Sequence, residues 1–159
     1  KKIGYLSSLE QHGGRHGLWH DFISGELANG TYRQTFENGV NEKERNYLDG
    51  KLHGIQRMWW PNGNMRSLWL ANNGFGDGVS RNWHFNGQLS AQRHFKNGDY
   101  HGINRSWREN GLLFWEDGWK DGERHGREQG WNARGEIVFC AYYVDGVELF
   151  QSYGESPDN

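Results

Sequence analysis

The feature that most constrains this chain is a pair of glycines that recurs every 24 residues. The opening positions are Gly30, Gly54, Gly78, Gly102 and Gly126, and the second positions are Gly39, Gly63, Gly87, Gly111 and Gly135. A register kept over five units is typical of a repeat array, in which each unit packs on its neighbours. The sequence therefore predicts repeats at 30–53, 54–77, 78–101, 102–125 and 126–149. Residues 1–29 are then a degenerate repeat or cap, and residues 150–159 a tail.

Between the glycines the polar and apolar residues alternate with period two, as they do in strands. In "VSRNWHF", residues 79–85, Val79, Arg81 and Trp83 share one face of the strand. The Asn86-Gly87 dipeptide that follows favours a two-residue hairpin turn, and the "DGxxHG" stretch connects one hairpin to the next. The pattern predicts an all-β protein, an elongated, curved single sheet of antiparallel hairpins.

Stacking the repeats places equivalent residues in columns across that sheet. Four columns are aromatic, basic or aliphatic: Trp59, Trp83, Trp107, Trp131; Arg33, Arg57, Arg81, Arg105; Met65, Leu89, Leu113, Ile137; and Tyr47, Ala71, Phe95, Trp119, Tyr143. All have odd offsets from the opening glycine, so strict alternation predicts one common face and a polar opposite face. Such a face is covered when the sheet curls or when a partner binds. The fifth repeat is apolar on both faces, which predicts a cover on both sides, either the tail or another subunit.

Composition argues against several classes of function. The 18 Lys and Arg residues nearly balance the 20 Asp and Glu residues, so we expect neither nucleic-acid binding nor direct membrane binding. The sequence contains no Walker loop, GxSxG motif, HExxH motif or paired-carboxylate signature, which predicts a protein that is not an enzyme and has no cofactor. Localisation stays open between the cytoplasm and an anchored form with a signal upstream of Lys1.

Histidines and the single cysteine are the remaining candidates for chemistry. His53, His101 and His125 precede repeat glycines, and their spacing of roughly 10 Å along the sheet is too wide for shared metal ligation. We interpret them as turn-capping residues. The series His12, His16 and His20 lies in a glycine-broken segment, and Cys140 lies in an apolar strand, so neither predicts a metal site or a nucleophile.

The motif of residues 80–102, "SRNWHFNGQLSAQRHFKNGDYHG", resembles the MORN repeat variant. The resemblance extends over about residues 30–150 and implies an elongated, curved array of hairpins that serves as an interaction module. It supplies no catalytic residues. In bacteria this variant is associated with antitoxin and immunity proteins, so the resemblance also implies a role of that kind.

The Trp and Arg columns are the candidate contact surface for a protein partner. Trp and Arg dominate protein-binding hot spots because they combine large area or several donors with restricted motion. The candidates are Arg57, Trp59, Arg81, Trp83, Arg105 and Trp107, with Trp60, Arg108 and Trp115 as secondary candidates. The structural alternative is that the tryptophans fill the curl and the arginines stack over them.

Three functions are compatible with this surface. The favoured hypothesis is an immunity or antitoxin protein that neutralises a cognate toxin by steric occlusion. The alternatives are a membrane-proximal or structural scaffold, and a β-protein that binds a small ligand in an aromatic groove. The identity of the partner and the oligomeric state are left open.

Overall fold

A computed structural model describes residues 3–5, 9–12, 18–21 and 24–154. These residues contain sixteen β-strands and no helix. The N-terminal part holds β1 (Ile3–Tyr5), β2 (Leu9–His12) and β3 (Leu18–Asp21). The following strands are β4 (Gly30–Thr35), β5 (Asn41–Leu48), β6 (Lys51–Leu52), β7 (Gly54–Trp59), β8 (Met65–Asn72), β9 (Phe75–Trp83), β10 (Leu89–Lys96), β11 (Asp99–Tyr100), β12 (Gly102–Trp107), β13 (Leu113–Lys120), β14 (Glu123–Trp131), β15 (Ile137–Val144) and β16 (Val147–Tyr153).

Fourteen of these strands form one open sheet, and β2 and β3 form a separate pair. The order in the sheet is β1-β4-β5-β7-β8-β9-β10-β12-β13-β14-β15-β16, with β6 beside β5 and β11 beside β10. Pairing is antiparallel except for β1, which runs parallel to β4. The structure confirms the predicted all-β hairpin array. The tail contributes to β16, which extends the edge of the sheet beside β15 and does not lie over either face of the last repeat.

The hairpin tips, here that of Asn62-Gly63, use a wider turn than the two-residue turn predicted for the Asn-Gly dipeptides. The Gly63 N–H donates to the Trp60 carbonyl at 2.9 Å, and the Trp60 N–H donates to the Asn64 carbonyl at 2.8 Å. Only Gly63 has a positive φ, 87°, whereas a two-residue turn of the predicted type needs positive φ at both central residues. The predicted two-residue turn at this dipeptide, and at Asn86-Gly87, was therefore wrong.

The two-residue turn occurs between successive hairpins instead. Asn73 and Gly74 separate β8 from β9, and their φ angles are 50° and 90°. Both values lie in the left-handed region, which Asn, Asp and Gly tolerate best. The other turns of this kind are Asp49-Gly50, Asn97-Gly98, Asp121-Gly122 and Asp145-Gly146.

A β-bulge in every hairpin changes which residues share a face. In the second repeat Met58 pairs with Ser67 and Trp59 pairs with Met65, so Arg66 is an extra residue. An extra residue reverses the alternation of the strand that follows it. The same irregularity follows Gln34, Ser106 and Gly130, and in the third repeat it lies between Leu89 and Ala91.

The predicted common face of the four columns was therefore wrong. Arg57 pairs with Leu68 and Gly54 pairs with Ala71. Because paired residues point to the same side and positions three apart point to opposite sides, Arg57 and Ala71 lie on opposite faces. We call the side of Arg57 and Trp59 the outer face. The inner face carries Tyr47, Ala71, Phe95, Trp119 and Tyr143.

The inner face is the more buried of the two. Gln56, Asn104 and Glu128 on this face are at most 2% exposed. In a single-layer sheet such burial comes from neighbouring side chains on the same face, for example the rings of Tyr100 and Trp119, whose centroids are 5.1 Å apart. Near the N-terminal end Trp19 of β3 covers this face, with its ring centroid 6.0 Å from that of Tyr47. The hydrophobic core thus lies along the inner face, and the outer face is the more open surface.

Candidate functional site

The structure places the six principal candidates together on the outer face. Their side chains project from three strands of adjacent repeats, namely Arg57 and Trp59 from β7, Arg81 and Trp83 from β9, and Arg105 and Trp107 from β12. Arg81 is exposed and the other five are half-buried. Their spacing follows the repeat, so the three Arg-Trp pairs form a ladder, which we call the Arg-Trp ladder. The assignment of this ladder to partner binding stays a prediction.

Two arginines of the Arg-Trp ladder form ion pairs with acidic residues on neighbouring strands. Glu44 on β5 accepts hydrogen bonds from Arg33 Nε at 2.9 Å and from Arg57 Nη1 at 2.5 Å. Burial alone would raise the pKa of Glu44, but the bonds from the two guanidinium groups outweigh it and hold the pKa below its ordinary value. Arg105 Nε donates to Glu116 at 2.7 Å. Both arginines are therefore oriented by an acid on a neighbouring strand.

Arg81 differs from the other members of the ladder. Its cross-strand neighbours are Leu68 on β8 and Gln92 on β10, and neither is charged. Within residues 24–154 and the shorter described segments, its guanidinium has no hydrogen bond, ion pair or ring contact. The most central arginine of the ladder is thus exposed and free to pair with a group on another molecule.

The sequence contained the signal for this difference. The position that faces the arginines reads Glu44, Leu68, Gln92, Glu116 and Cys140 along the repeats. An acid is missing on both sides of Arg81. Our sequence reasoning missed it because strict alternation places these residues on the opposite face.

The secondary candidates Trp60 and Arg108 tie the hairpin tips together. Trp60 Nε1 donates to the carbonyl of Trp83 at 3.1 Å, and Arg108 Nη2 donates to the carbonyl of Trp131 at 2.8 Å. His84, which occupies the equivalent position between them, contacts the Trp107 carbonyl through Nε2 at 2.8 Å. These side chains form a ladder of their own that links each tip to the next repeat.

The remaining secondary candidate, Trp115, lies on the inner face. Its ring stacks on Phe139 with centroids 5.4 Å apart and planes 9° from parallel. Gly130 leaves the room for this stack, since a Cβ at that position would touch the Trp115 ring at 2.8 Å. Trp115 therefore belongs to a different surface from the Arg-Trp ladder.

The described residues form several hollows in the sheet surface, and two of them lie near the candidate residues. One, of about 590 Å³, is lined mainly by outer-face residues of the first two repeats, including Arg33, Glu44 and Arg57. The other, of about 340 Å³, lies on the inner face between Trp69 and Phe95. The outer hollow adjoins the Arg-Trp ladder at its N-terminal end, so the ladder is continuous with a concave surface there.

The repeat histidines contact turns of the next repeat. The Asp121 N–H donates to His101 Nδ1 at 3.3 Å, and the Asp145 N–H donates to His125 Nδ1 at 3.3 Å. His53 has no such bond, and its Nδ1 is buried without a hydrogen-bond partner. Of the N-terminal series, His12 lies in β2, His20 lies in β3, and His16 lies outside the described residues. In the part of the chain that the structure describes, no group of three potential metal ligands comes together.

The bulged pairing also brings two acids together on the inner face, which sequence reasoning missed. Asp117 on β13 pairs with Glu128 on β14, and Glu128 is 2% exposed. Burial, and then the charge of Asp117, raise the pKa of Glu128 above its ordinary value, although Arg124 Nη1 donates to one of its oxygens. The other oxygen, Oε1, has no hydrogen-bond partner.

This carboxyl group predicts a specific pH dependence of stability. Because the pKa of Glu128 is higher in the folded state, its contribution is fully present below its ordinary pKa of 4.5 and is lost as the pH rises through the folded value. We expect the free energy of unfolding of Glu128→Gln to fall less than that of the wild type as the pH rises above 4.5. Urea unfolding at a series of pH values measures this difference.

The control for this prediction is Glu136→Gln. Glu136 is exposed, and a hydrogen bond from Asn132 holds its pKa below the ordinary value, so its contribution has the opposite sign and is lost as the pH falls. If the free energy of unfolding changed with pH equally in the wild type and in Glu128→Gln, the raised pKa of Glu128 in the folded state would be contradicted.

Comparison with known families finds a similarity in the central hairpins. The sequence profile of the MORN repeat variant matches residues 52–73 and 76–97, two adjacent segments that contain Trp59, Arg81 and Trp83. The two matches begin 24 residues apart, in agreement with the glycine register. MORN repeats are generally modules that interact with proteins or membranes.

No curated protein sequence matches the chain. The described residues include no helix that could span a membrane.

Proposed function

We propose that this chain is a non-enzymatic protein-binding module whose contact surface is the Arg-Trp ladder of the outer face. The observation that carries the proposal is the state of Arg81. Most neighbouring arginines are held by an acid of the chain, whereas Arg81 is exposed and unpaired in the middle of the ladder. A guanidinium group in this position is suited to a bidentate bond with a carboxylate of a partner.

The surroundings of Arg81 supply the rest of a binding surface. Trp83 follows it on the same face of β9, and Leu68 lies opposite it on β8. All three project from a hydrogen-bonded sheet, so little backbone conformational entropy is lost when a rigid partner docks on them. The expected partner surface is apolar with one acidic residue near its centre.

In its most specific form, the proposal is an immunity or antitoxin protein that neutralises a cognate toxin. The mechanism is steric, because a partner held on a ladder that spans three repeats has part of its own surface covered. The support for this form is the similarity of the central repeats to the MORN repeat variant, together with a contact surface of hot-spot composition.

The test is a charge reversal at the unpaired arginine. We expect Arg81→Glu to weaken the affinity for the partner by about a hundredfold or more, since a charged hot-spot group is replaced by one that repels the partner carboxylate. Its melting temperature should stay close to that of the wild type, because the side chain is exposed and unpaired. Partners are captured from a lysate of the source organism, identified by mass spectrometry, and their affinity is measured by calorimetry.

The matched control is Arg127→Glu, an exposed arginine of the outer face in the last repeat. A partner lost by Arg81→Glu and kept by Arg127→Glu supports the ladder as the contact surface. Equal binding by both variants and the wild type would place the contact elsewhere. For the toxin form, coexpression of a captured partner must arrest growth, and the wild type must rescue growth where Arg81→Glu does not.

A further inference from the structure

The last strand of the sheet, β16, has an unusual surface for an edge. The sheet order ends at β16, so one side of its backbone has no strand beside it among the described residues. Every residue of β16 is exposed, and four are apolar, with exposures of 61% for Val147, 62% for Leu149, 56% for Phe150 and 73% for Tyr153. Seven of the fifteen exposed large hydrophobic residues of the described chain lie in β15 and β16. The apolar exposure of the molecule is thus concentrated at this end.

Edge strands of monomeric proteins are usually protected by lysine, proline, short length or a strong bulge. Strand β16 contains neither lysine nor proline, and it is seven residues long. A bulge at Leu149 shifts its pairing with β15, but Phe150–Tyr153 beyond the bulge pair with β15 without a further shift. The edge is therefore only weakly protected against addition of another strand.

We propose that β16 pairs antiparallel with β16 of a second copy of this chain, to give a dimer with a continuous sheet. Two strands of the same sequence can pair in this way about a two-fold axis. With the axis at Phe150, Val147 faces Tyr153 of the other copy, and Glu148 faces Ser152. All seven residues of each strand are then paired.

The charge distribution suits a second copy as the occupant. Glu148 is the one charged residue of β15 and β16, and it accepts a hydrogen bond from the Tyr143 hydroxyl at 3.0 Å. Pairing about Phe150 therefore brings no like charges into register. The three exposed rings of Tyr142, Phe150 and Tyr153 together present roughly 350 Å² of surface. Phe150 and Tyr153 lie on the edge strand itself, so pairing brings these two rings and the exposed Val147 and Leu149 side chains against the second copy.

The other edge of the sheet does not offer an equal alternative. Strand β1 is three residues long and runs parallel to β4. A head-to-tail contact between β1 and β16 would form three residue pairs where the two-fold contact forms seven, and it would generate an open chain of molecules. The closed, two-fold arrangement uses the longer edge.

The test measures oligomeric state with a lysine placed at the axis. Sedimentation equilibrium on the full 159-residue chain should give twice the monomer mass of 18.5 kDa for the wild type at about 100 μM, a concentration at which a typical stable interface is occupied. Phe150→Lys should raise the dimer dissociation constant about a hundredfold or more, because two ammonium groups then face each other. The matched control is Phe85→Lys at a hairpin tip, whose side chain is 55% exposed against 56% for Phe150.

Hydrogen exchange separates strand pairing from looser contact. Amides of β16 should exchange more slowly in the wild-type dimer than in monomeric Phe150→Lys, while amides of β7 and β8 exchange equally in both. Circular dichroism verifies that each variant is folded, and Leu149→Lys replaces Phe150→Lys if the latter unfolds. A wild type that stays monomeric up to about 100 μM overturns the proposal, as does a dimer that survives the β16 lysine or is dissociated by Phe85→Lys.

Discussion

Replacement of Gly118 by alanine is expected to lower the free energy of unfolding by about 3 kcal/mol or more, the range of severe overpacking. A Cβ on Gly118 would lie far inside van der Waals contact with the backbone carbonyl oxygen of His125. The clash is with backbone on the neighbouring strand, so no change of side-chain rotamer relieves it. Chemical denaturation of the purified variant measures the loss.

The close approach at Gly118 arises from the register of β13 and β14. Asp117 pairs with Glu128 and Trp119 pairs with Arg124, so three residues of β14 lie opposite Gly118 alone. Strand β14 bulges toward β13 at this point, and Gly126 within the bulge has a φ of 88°. Glycine at 118 is thus required by the space between strands, whereas glycine at 126 is required by the backbone conformation.

Gly76→Ala is the matched control for this prediction. A Cβ on Gly76 would meet the Phe95 ring at 3.5 Å, an ordinary contact. Its φ is not in the left-handed region, so alanine is expected to change the free energy of unfolding by less than about 1 kcal/mol. Similar stability losses for both variants would show that the clash at Gly118 is relieved by a backbone shift.

Replacement of Gln56 by alanine is expected to cost about 3 kcal/mol, because a fully buried side chain and its three hydrogen bonds to the backbone are lost. The Gln56 side chain is fully buried and connects β7 to β5 across a gap in their backbone pairing. Its Oε1 accepts from the Asn46 N–H at 3.1 Å, and its Nε2 donates to the Asn46 carbonyl at 2.9 Å and to the Gly54 carbonyl at 3.2 Å. The amide thus replaces a missing rung of the backbone ladder.

The repeat at 102–125 suggests a conservative variant for this experiment. Asn104 occupies the same position in its repeat, and its Oδ1 accepts from the His94 N–H at 2.9 Å. Gln56→Asn should therefore retain part of the stability that Gln56→Ala loses. Gln34→Ala, at an exposed side chain, should change stability by less than about 0.5 kcal/mol. A melting temperature for Gln56→Ala equal to that of the wild type would contradict the bridging role.

Arg81 shows which features of the candidate site could be predicted from the sequence and which could not. Its place in a column of arginines follows from the 24-residue period, and the structure places that column on one face as expected. The sequence-based reading did not identify Arg81 as the unpaired member, because its neighbours Leu68 and Gln92 are assigned to the wrong face when the bulge is not counted. The acid pair of Asp117 and Glu128 escaped notice for the same reason.

The turns show a similar division. Asn-Gly and Asp-Gly dipeptides predict chain reversals from their own preferences, and all the predicted reversals are present. Which dipeptide makes the two-residue turn depends on how the flanking strands pair. At Asn62-Gly63 the strands pair one residue further out than predicted, from Trp60 to Asn64, and this leaves room for a three-residue loop.

By itself, the sequence determined the repeat length, the strand content and the single-sheet hairpin array, because these follow from glycine positions and alternation within short segments of chain. The tertiary structure decided which columns share a face, which arginine lacks an acid and where β16 lies. Each of these depends on pairing between strands that are distant in sequence. One extra residue in a hairpin reverses the alternation along the rest of its own strand, and this residue cannot be recognised from local alternation alone.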